Sequence, residues 1–165
     1  MTFNYSAFKA IYLHEMDRFK RTLMQSLLSP VLSTSLYFIV FGSVIGGYVE
    51  KIDGISYGSY IVPGLLMLTL LTQSITNTSF GIFFPKFNGT IYEILAAPIS
   101  TLEIVLAFVG AGATKTLIVG VVIFITANFF VEVDVKYPLL VVFLLILVSF
   151  TFALFGFLIG LMSSN

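Results

Sequence analysis

Long runs without a charged residue dominate the sequence and limit the folds open to it. Thr22–Val49 contains 28 residues without Asp, Glu, Lys or Arg, and Gly54–Pro85 contains 32. About 20 apolar residues in a helix cross the hydrocarbon core of a bilayer. Ile104–Val131, interrupted only by Lys115, and Tyr137–Asn165 continue the pattern. Because a segment in lipid must satisfy its own backbone hydrogen bonds, these four runs predict transmembrane helices.

The composition agrees with a membrane protein. Hydrophobic residues make up 58% of the chain and charged residues 10%, whereas a soluble domain is about one-quarter charged. The predicted fold is all-α and polytopic, a single transmembrane domain over 1–165 with spans at 23–49, 60–84, 104–131 and 137–162. Within the third span we expect Lys115 to extend to the membrane surface, which makes Ile104–Thr114 a partly interfacial lead-in.

Residues 3–22 have the pattern of an amphipathic helix lying along the membrane. Phe8, Ile11, Tyr12, Met16 and Phe19 share one arc at 100° per residue, with basic residues away from it.

One carboxylate, Glu15, lies inside that apolar arc. It precedes Arg18 by three residues, a spacing that allows a local ion pair. The alternative is a solvated pair near the lipid headgroups, and the sequence leaves both open.

A polar interruption, Asn88–Ser100, separates the second and third runs. Thr90-x-x-Glu93 has the spacing of a capping box, and Pro98 disfavours helix at the residue before it. We therefore predict a short helix within 89–98, with one apolar face formed by Ile91, Ile94 and Leu95. Ser100-x-x-Glu103 repeats the capping pattern and should begin the next long helix. A helix this short is marginal by itself and needs a partner to pack against.

Basic residues near the ends of the spans predict the orientation. The N-terminal segment carries Lys9, Arg18, Lys20 and Arg21, and the second connection carries Lys86 with Lys115 nearby, whereas each remaining loop has one Lys and two acids. The positive-inside rule then predicts a cytoplasmic N-terminus and a cytoplasmic 89–98 helix.

The second span has an unusually polar second half. Thr69, Gln73 and Asn77 recur every four residues and form one stripe. Buried unpaired amides are costly in hydrocarbon, so the stripe should face protein or water. It is consistent with a substrate path or with hydrogen bonding between helices.

Several kinds of chemistry are not predicted. Gly110–Thr116 only superficially resembles a phosphate-binding loop, because Thr114 rather than Gly precedes Lys115 within an apolar helix. One histidine and no cysteine do not predict a metal site. Every carboxylate is expected at a loop or helix end, so no proton relay is predicted. The net charge of zero implies no nucleic-acid-binding face. We predict a chain that is not itself an enzyme and uses no cofactor.

The run Gly89-Thr90-Ile91-Tyr92-Glu93-Ile94-Leu95-Ala96-Ala97-Pro98-Ile99-Ser100 resembles the short cytoplasmic segment of type-2 ABC-transporter permeases. Pro30, Tyr37, Phe41-Gly42 and Tyr60–Gly64 agree with that family in order and spacing. The resemblance implies a coupling helix seated in a cleft of a separate ATP-binding cassette subunit. It also implies two permease copies and ATP hydrolysis on the partner. The residues it marks for coupling are Gly89, Thr90, Ile91, Tyr92, Glu93, Ile94, Leu95 and Pro98.

Such permeases have six spans, so four predict the N-terminal two-thirds of one, in the inner membrane. Two alternatives remain at this point, namely a secondary transporter or channel that needs no ATPase, and a membrane scaffold subunit that transports nothing.

Overall fold

The computed structural model describes residues 3–45, 51–52, 54–131, 133 and 135–163, with side chains at most of them. The described elements are α1 (Tyr5–Arg21), α2 (Leu23–Tyr37), a π-helix (Phe38–Ile45), β1 (Lys51–Ile52), β2 (Ile55–Ser56), α3 (Tyr57–Phe87), α4 (Ile91–Ala96), α5 (Thr101–Phe130) and α6 (Pro138–Met162). Among these described residues, four helical segments are long and apolar enough to cross a membrane: Leu23–Phe41, Tyr57–Phe87, Thr101–Phe130 and Pro138–Met162. The all-α, polytopic fold is confirmed. Residues 46–49 of the predicted first span lie outside the described part of the chain.

Helix α5 is the centre of the bundle, and α1, α2, α3 and α6 all pack against it. Its small residues are the most enclosed, with Ala107, Ala111 and Ala113 fully buried. Most of the stretch Ile104–Thr114, predicted as a partly interfacial lead-in, is buried against the other helices of the chain. Helix α5 is continuous over 30 residues, about 45 Å at 1.5 Å per residue.

Glycines let α3 and α6 approach each other closely. A Cβ atom on Gly156 would lie 2.5 Å from the Ile75 carbonyl oxygen, and one on Gly160 would lie 2.7 Å from that of Ser79. Hydrophobic burial drives helix association weakly in lipid, where close van der Waals packing through small residues is the main contribution. The two helices run in the same direction, with Ile75 beside Gly156 and Ser79 beside Gly160.

Helix α3 begins earlier and ends later than the predicted 60–84 segment. The Ser56 hydroxyl accepts a hydrogen bond from the Ser59 amide at 3.3 Å and so caps the helix. Pro63, expected as a kink or an entrance to the span, lies inside the helix. The preceding hairpin pairs Lys51 with Ser56.

Helix α1 advances along α5 in the same direction. The Asn4 amide donates to the Glu103 carboxylate, the Tyr12 hydroxyl donates to Thr114 Oγ1 at 2.9 Å, and Phe19 packs with Val119 and Ile123. Four residues of the predicted apolar arc of α1 thus pack toward α5, namely Ile11, Tyr12, Met16 and Phe19.

Candidate coupling site

Helix α4 is built by a turn, six helical residues and a proline stop. Gly89 makes the turn with φ +77°, a conformation that glycine adopts without steric cost. The helix runs from Ile91 to Ala96, and Ala97 is extended with φ −75° and ψ 152°. Pro98 explains this ending, since a residue before proline avoids the helical region.

The predicted capping box of α4 is wrong. No side-chain hydrogen bond caps this helix at Thr90, whose own backbone is helical. The Glu93 amide donates instead to the Thr90 carbonyl oxygen at 3.1 Å. Because Thr90 already has helical dihedrals, its hydroxyl does not take the N-cap position that requires an extended residue.

The equivalent prediction for the next helix is confirmed. The Ser100 hydroxyl accepts from the Glu103 amide at 3.3 Å, and the Glu103 carboxylate accepts from the Ser100 amide at 2.9 Å. This capping box begins α5 directly after α4. Backbone hydrogen bonds from Asn4 and Ser100 both hold the Glu103 carboxylate, which ties the start of α1 to the start of α5.

The apolar face predicted for α4 is divided between two environments. Ile91 and Ile94 are half-buried against the core cluster of Ile82, Ile104 and Phe108. Leu95 points away from that cluster with 62% of its surface exposed, and Tyr92 is 73% exposed. Tyr92 and Leu95 are three residues apart and share the outer face. The chain itself therefore supplies part of the support that the short helix needs.

A charged cluster lies where α1 meets α3 and α5. Glu15 Oε2 is 3.2 Å from Arg18 Nη2 and 2.7 Å from Lys115 Nζ. Glu15 is only 2% exposed and Lys115 only 3%. The Glu15 carboxyl also approaches Gly81, where a Cβ atom would lie 3.4 Å from Oε2.

This cluster corrects two predictions. Lys115 does not extend to a membrane surface; it is buried and paired within the chain. Glu15 lies in the interior of α1 and not at a helix end. Glu15 is the charged residue on the apolar face of α1, and Lys115 is the charged residue within the apolar run Ile104–Val131. Because opposite charges in apolar segments tend to pair, this pattern could have predicted the contact from the sequence.

The polar stripe on α3 is half-buried. Asn77 Nδ2 donates to Gln73 Oε1 at 3.4 Å, and the Thr69 hydroxyl donates to the Leu65 carbonyl at 2.9 Å. These bonds run along α3 itself. On the neighbouring face of α3, the Ser74 hydroxyl crosses to α6 and donates to the Ser149 carbonyl at 2.6 Å.

Lys86, just before α4, contacts the end of α6. Its ammonium donates to the carbonyl oxygens of Leu161 and Ser163, both at 2.7 Å. A cation at this place satisfies carbonyls that a helix C-terminus leaves unpaired. Lys86 was predicted from sequence only to mark the orientation, and its contact with the end of α6 was not predicted.

The match to a family model decides the assignment. The model of the ABC-2 type transporter matches residues 6–165. The chain belongs to this family. It is 36% identical over 159 residues to the inner membrane transport permease YadH of Escherichia coli K12, and equally to YadH of Shigella flexneri. The aligned region covers 96% of this chain and 62% of each relative. No solved structure matches the chain.

The family assignment agrees with the resemblance of the 89–100 segment to type-2 ABC-transporter permeases. The chain is a multi-pass membrane protein of the ABC-2 permease type. Helix α4 occupies the segment on which that resemblance most depended, and the turn at Gly89 and the stop at Pro98 delimit it. The chain spans about three-fifths of the curated relatives it matches.

Proposed function

We propose that this chain is the permease subunit of an ATP-driven exporter in the inner membrane, with a cytoplasmic N-terminus. It would couple through α4 to a separate ATP-binding cassette subunit and form the substrate path with a second permease copy. The observation that carries the proposal is the outer face of α4, where Tyr92 and Leu95 are exposed on a helix whose inner face is held by the core.

Exposed aromatic and aliphatic side chains on a supported helix are suited to anchor a partner. Anchors of this kind contribute most when they enter a pocket and lose water there. Ile91 and Ile94 fix the helix to its own chain, so the side chains that remain available are Tyr92, Glu93, Leu95 and Pro98. Gly89 and Thr90 form the turn that leads into α4. The surface proposed to contact the cassette subunit therefore contains fewer residues than the sequence predicted.

The contacts around α4 provide a route for movement. A push on α4 would reach the bundle through Ile91 and Ile94, which pack against the core cluster that includes residues of α3, α5 and α6. The short connection from Ala97 to Ser100 leads into the capped start of α5. Because α5 contacts every other long helix, its displacement would alter the packing of the first two spans.

A pull-down with matched variants tests the proposal. Tyr92→Ala/Leu95→Ala should lose binding to the co-expressed cassette subunit while the protein inserts and folds normally. Tyr60→Ala/Leu68→Ala is the control, because it removes the same residue types at similar exposure, 57% and 59%, from a different helix, α3. Ile91→Ala/Ile94→Ala should lower stability, since both contact the core. Unchanged capture of the Tyr92/Leu95 variant would overturn the assignment of this face.

A further inference from the structure

A cleft of ≈ 1010 Å³ lies between α1, the first turn of α2, the last turns of α3, and α4. Both polar and apolar side chains line it. Polar side chains enter from α1 and α2, including His14, Arg18, Gln25 and Ser26. Most of the large apolar side chains come from α3, α4 and α5, including Phe80, Phe84, Ile94 and Phe108. Polar residues from the α3–α4 region and apolar residues from α1 complete the lining: Thr76, Asn88, Thr90, Ala10 and Ile11.

The ion cluster beside this cleft holds two cations and one carboxylate, of which Arg18 and Glu15 line the cleft. Glu15 is the one carboxylate of the cluster, and it pairs with two cations, Lys115 at 2.7 Å and Arg18 at 3.2 Å. The three groups together carry one positive charge. Lys115 is buried behind Glu15, whereas the Arg18 side chain is partly exposed and lines the cleft. The excess positive charge is therefore presented by Arg18.

The position of Arg18 is fixed by two contacts. Its guanidinium pairs with Glu15 and lies over the Phe84 ring, 5.8 Å from the ring centroid. A guanidinium has five N–H donors in a planar fork that matches the oxygens of a phosphate. Phe84 and Glu15 hold the fork at the boundary between the polar and apolar walls.

We propose that this cleft binds an anionic phospholipid, with Arg18 contacting the phosphate headgroup and the wall around Phe80 and Phe108 contacting the start of an acyl chain. Gln25 and Ser26 lie on the polar wall, where they can donate hydrogen bonds to headgroup oxygens. The lipid source rests on the proposed orientation, which places this end of the bundle at the anionic cytoplasmic leaflet.

The apolar wall distinguishes a lipid from a free anion. Inorganic phosphate would use Arg18 but would leave the aromatic side of the cleft in contact with water. A lipid satisfies both walls, because its charged headgroup is joined to a hydrocarbon chain. A cation on an exposed helix surface lacks the second wall, and Lys20 of α1, which pairs with Asp17 outside the cleft, is such a residue in this protein.

Native mass spectrometry of the protein in detergent tests the site with three probes. They are phosphatidylglycerol, phosphatidylcholine with the same acyl chains, and inorganic phosphate. We expect preferential retention of phosphatidylglycerol, and Arg18→Gln should reduce it about tenfold, as for the loss of one charge-assisted contact. The buried Glu15–Lys115 pair remains in that variant. Lys20→Gln is the matched control and should retain phosphatidylglycerol as the wild type does.

A second variant separates binding from folding. Ser26→Phe should place a bulky ring at the polar end of the cleft without altering any charge and should also reduce retention, whereas Ser29→Phe, exposed and outside the cleft, should not. Equal losses in the Arg18 and Lys20 variants, or full retention by Ser26→Phe, would overturn the proposal. Inorganic phosphate that binds as well as phosphatidylglycerol would overturn the lipid assignment. These results do not depend on the cassette subunit, so they are independent of the coupling test.

Discussion

The Lys115 ammonium lies 2.7 Å from the Glu15 carboxylate, joining the middle of α5 to the interior of α1. Both side chains are almost completely buried. A buried ion pair need not stabilise a protein relative to apolar residues, but the removal of one partner leaves an uncompensated buried charge. The pair therefore makes the association of α1 with α5 dependent on both residues being present.

Glu15→Gln should lower the free energy of unfolding by about 3–5 kcal/mol, since it leaves Lys115 buried without a carboxylate. Lys115→Met should be less harmful, because Arg18 remains 3.2 Å from Glu15. The double variant Glu15→Gln/Lys115→Met should regain part of the loss. The measurement is thermal unfolding of the purified protein in detergent, followed by circular dichroism.

The control for this prediction is a second Lys–carboxylate pair in the same molecule. Lys20 lies 3.1 Å from Asp17, and both side chains are exposed. Lys20→Met should change stability by less than about 1 kcal/mol, as is usual for surface pairs. Equal effects of the Lys20 and Lys115 substitutions would show that burial does not distinguish the two pairs.

The local features of the fold could be predicted from sequence because they depend on short-range patterns. The charge-free runs gave the helices that can span a membrane, Pro98 gave the end of α4, and Ser100 with Glu103 gave the capped start of α5. Each depends on residues within a few positions of one another.

Features that depend on tertiary contacts were predicted less well. The sequence analysis placed Lys115 at the membrane surface because it considered the helix alone, whereas α1 supplies a carboxylate from 100 residues away. It also grouped Ile91, Ile94 and Leu95 on one binding face. The core of this chain takes up the first two, and only a structure shows which side of a short helix is already occupied.

The close packing of α3 against α6 predicts a strong difference between two glycines. Gly156→Ala should be destabilising, because its Cβ atom would lie 2.5 Å from the Ile75 carbonyl oxygen and force the helices apart. Gly64→Ala, with nothing within 4 Å of its Cβ position, should be neutral or stabilising by up to about 1 kcal/mol through helix propensity. Thermal unfolding midpoints compare them, and a milder effect at Gly156 than at Gly64 would contradict the packing described.

The two capping patterns beside α4 should respond differently to alanine. Ser100→Ala removes a hydrogen bond to the Glu103 amide and should cost about 1 kcal/mol. Thr90→Ala should change stability by less than about 0.5 kcal/mol, because Thr90 makes no side-chain cap. Denaturant unfolding of both variants measures the difference. A larger loss of stability for Thr90→Ala than for Ser100→Ala would contradict the absence of a side-chain cap at Thr90.

Single cysteines can establish whether the polar stripe of α3 faces water in the proposed transporter assembly. The 165 residues contain no cysteine, so each introduced thiol is the only one within them. Gln73→Cys and Asn77→Cys should react with a membrane-impermeant thiol reagent if the stripe lines a substrate path, because half-buried polar positions on a path are hydrated.

Ser74→Cys should stay unreactive, since Ser74 is fully buried against α6. Leu68→Cys, exposed on an apolar surface, should also react poorly, because hydrocarbon suppresses the thiolate that attacks the reagent. If the reaction at Gln73→Cys and Asn77→Cys becomes faster when ATP is added, the stripe takes part in the proposed transport cycle. If all four thiols are equally unreactive, the stripe does not face water, and the Gln73–Asn77 hydrogen bond only satisfies two amides inside the helix bundle.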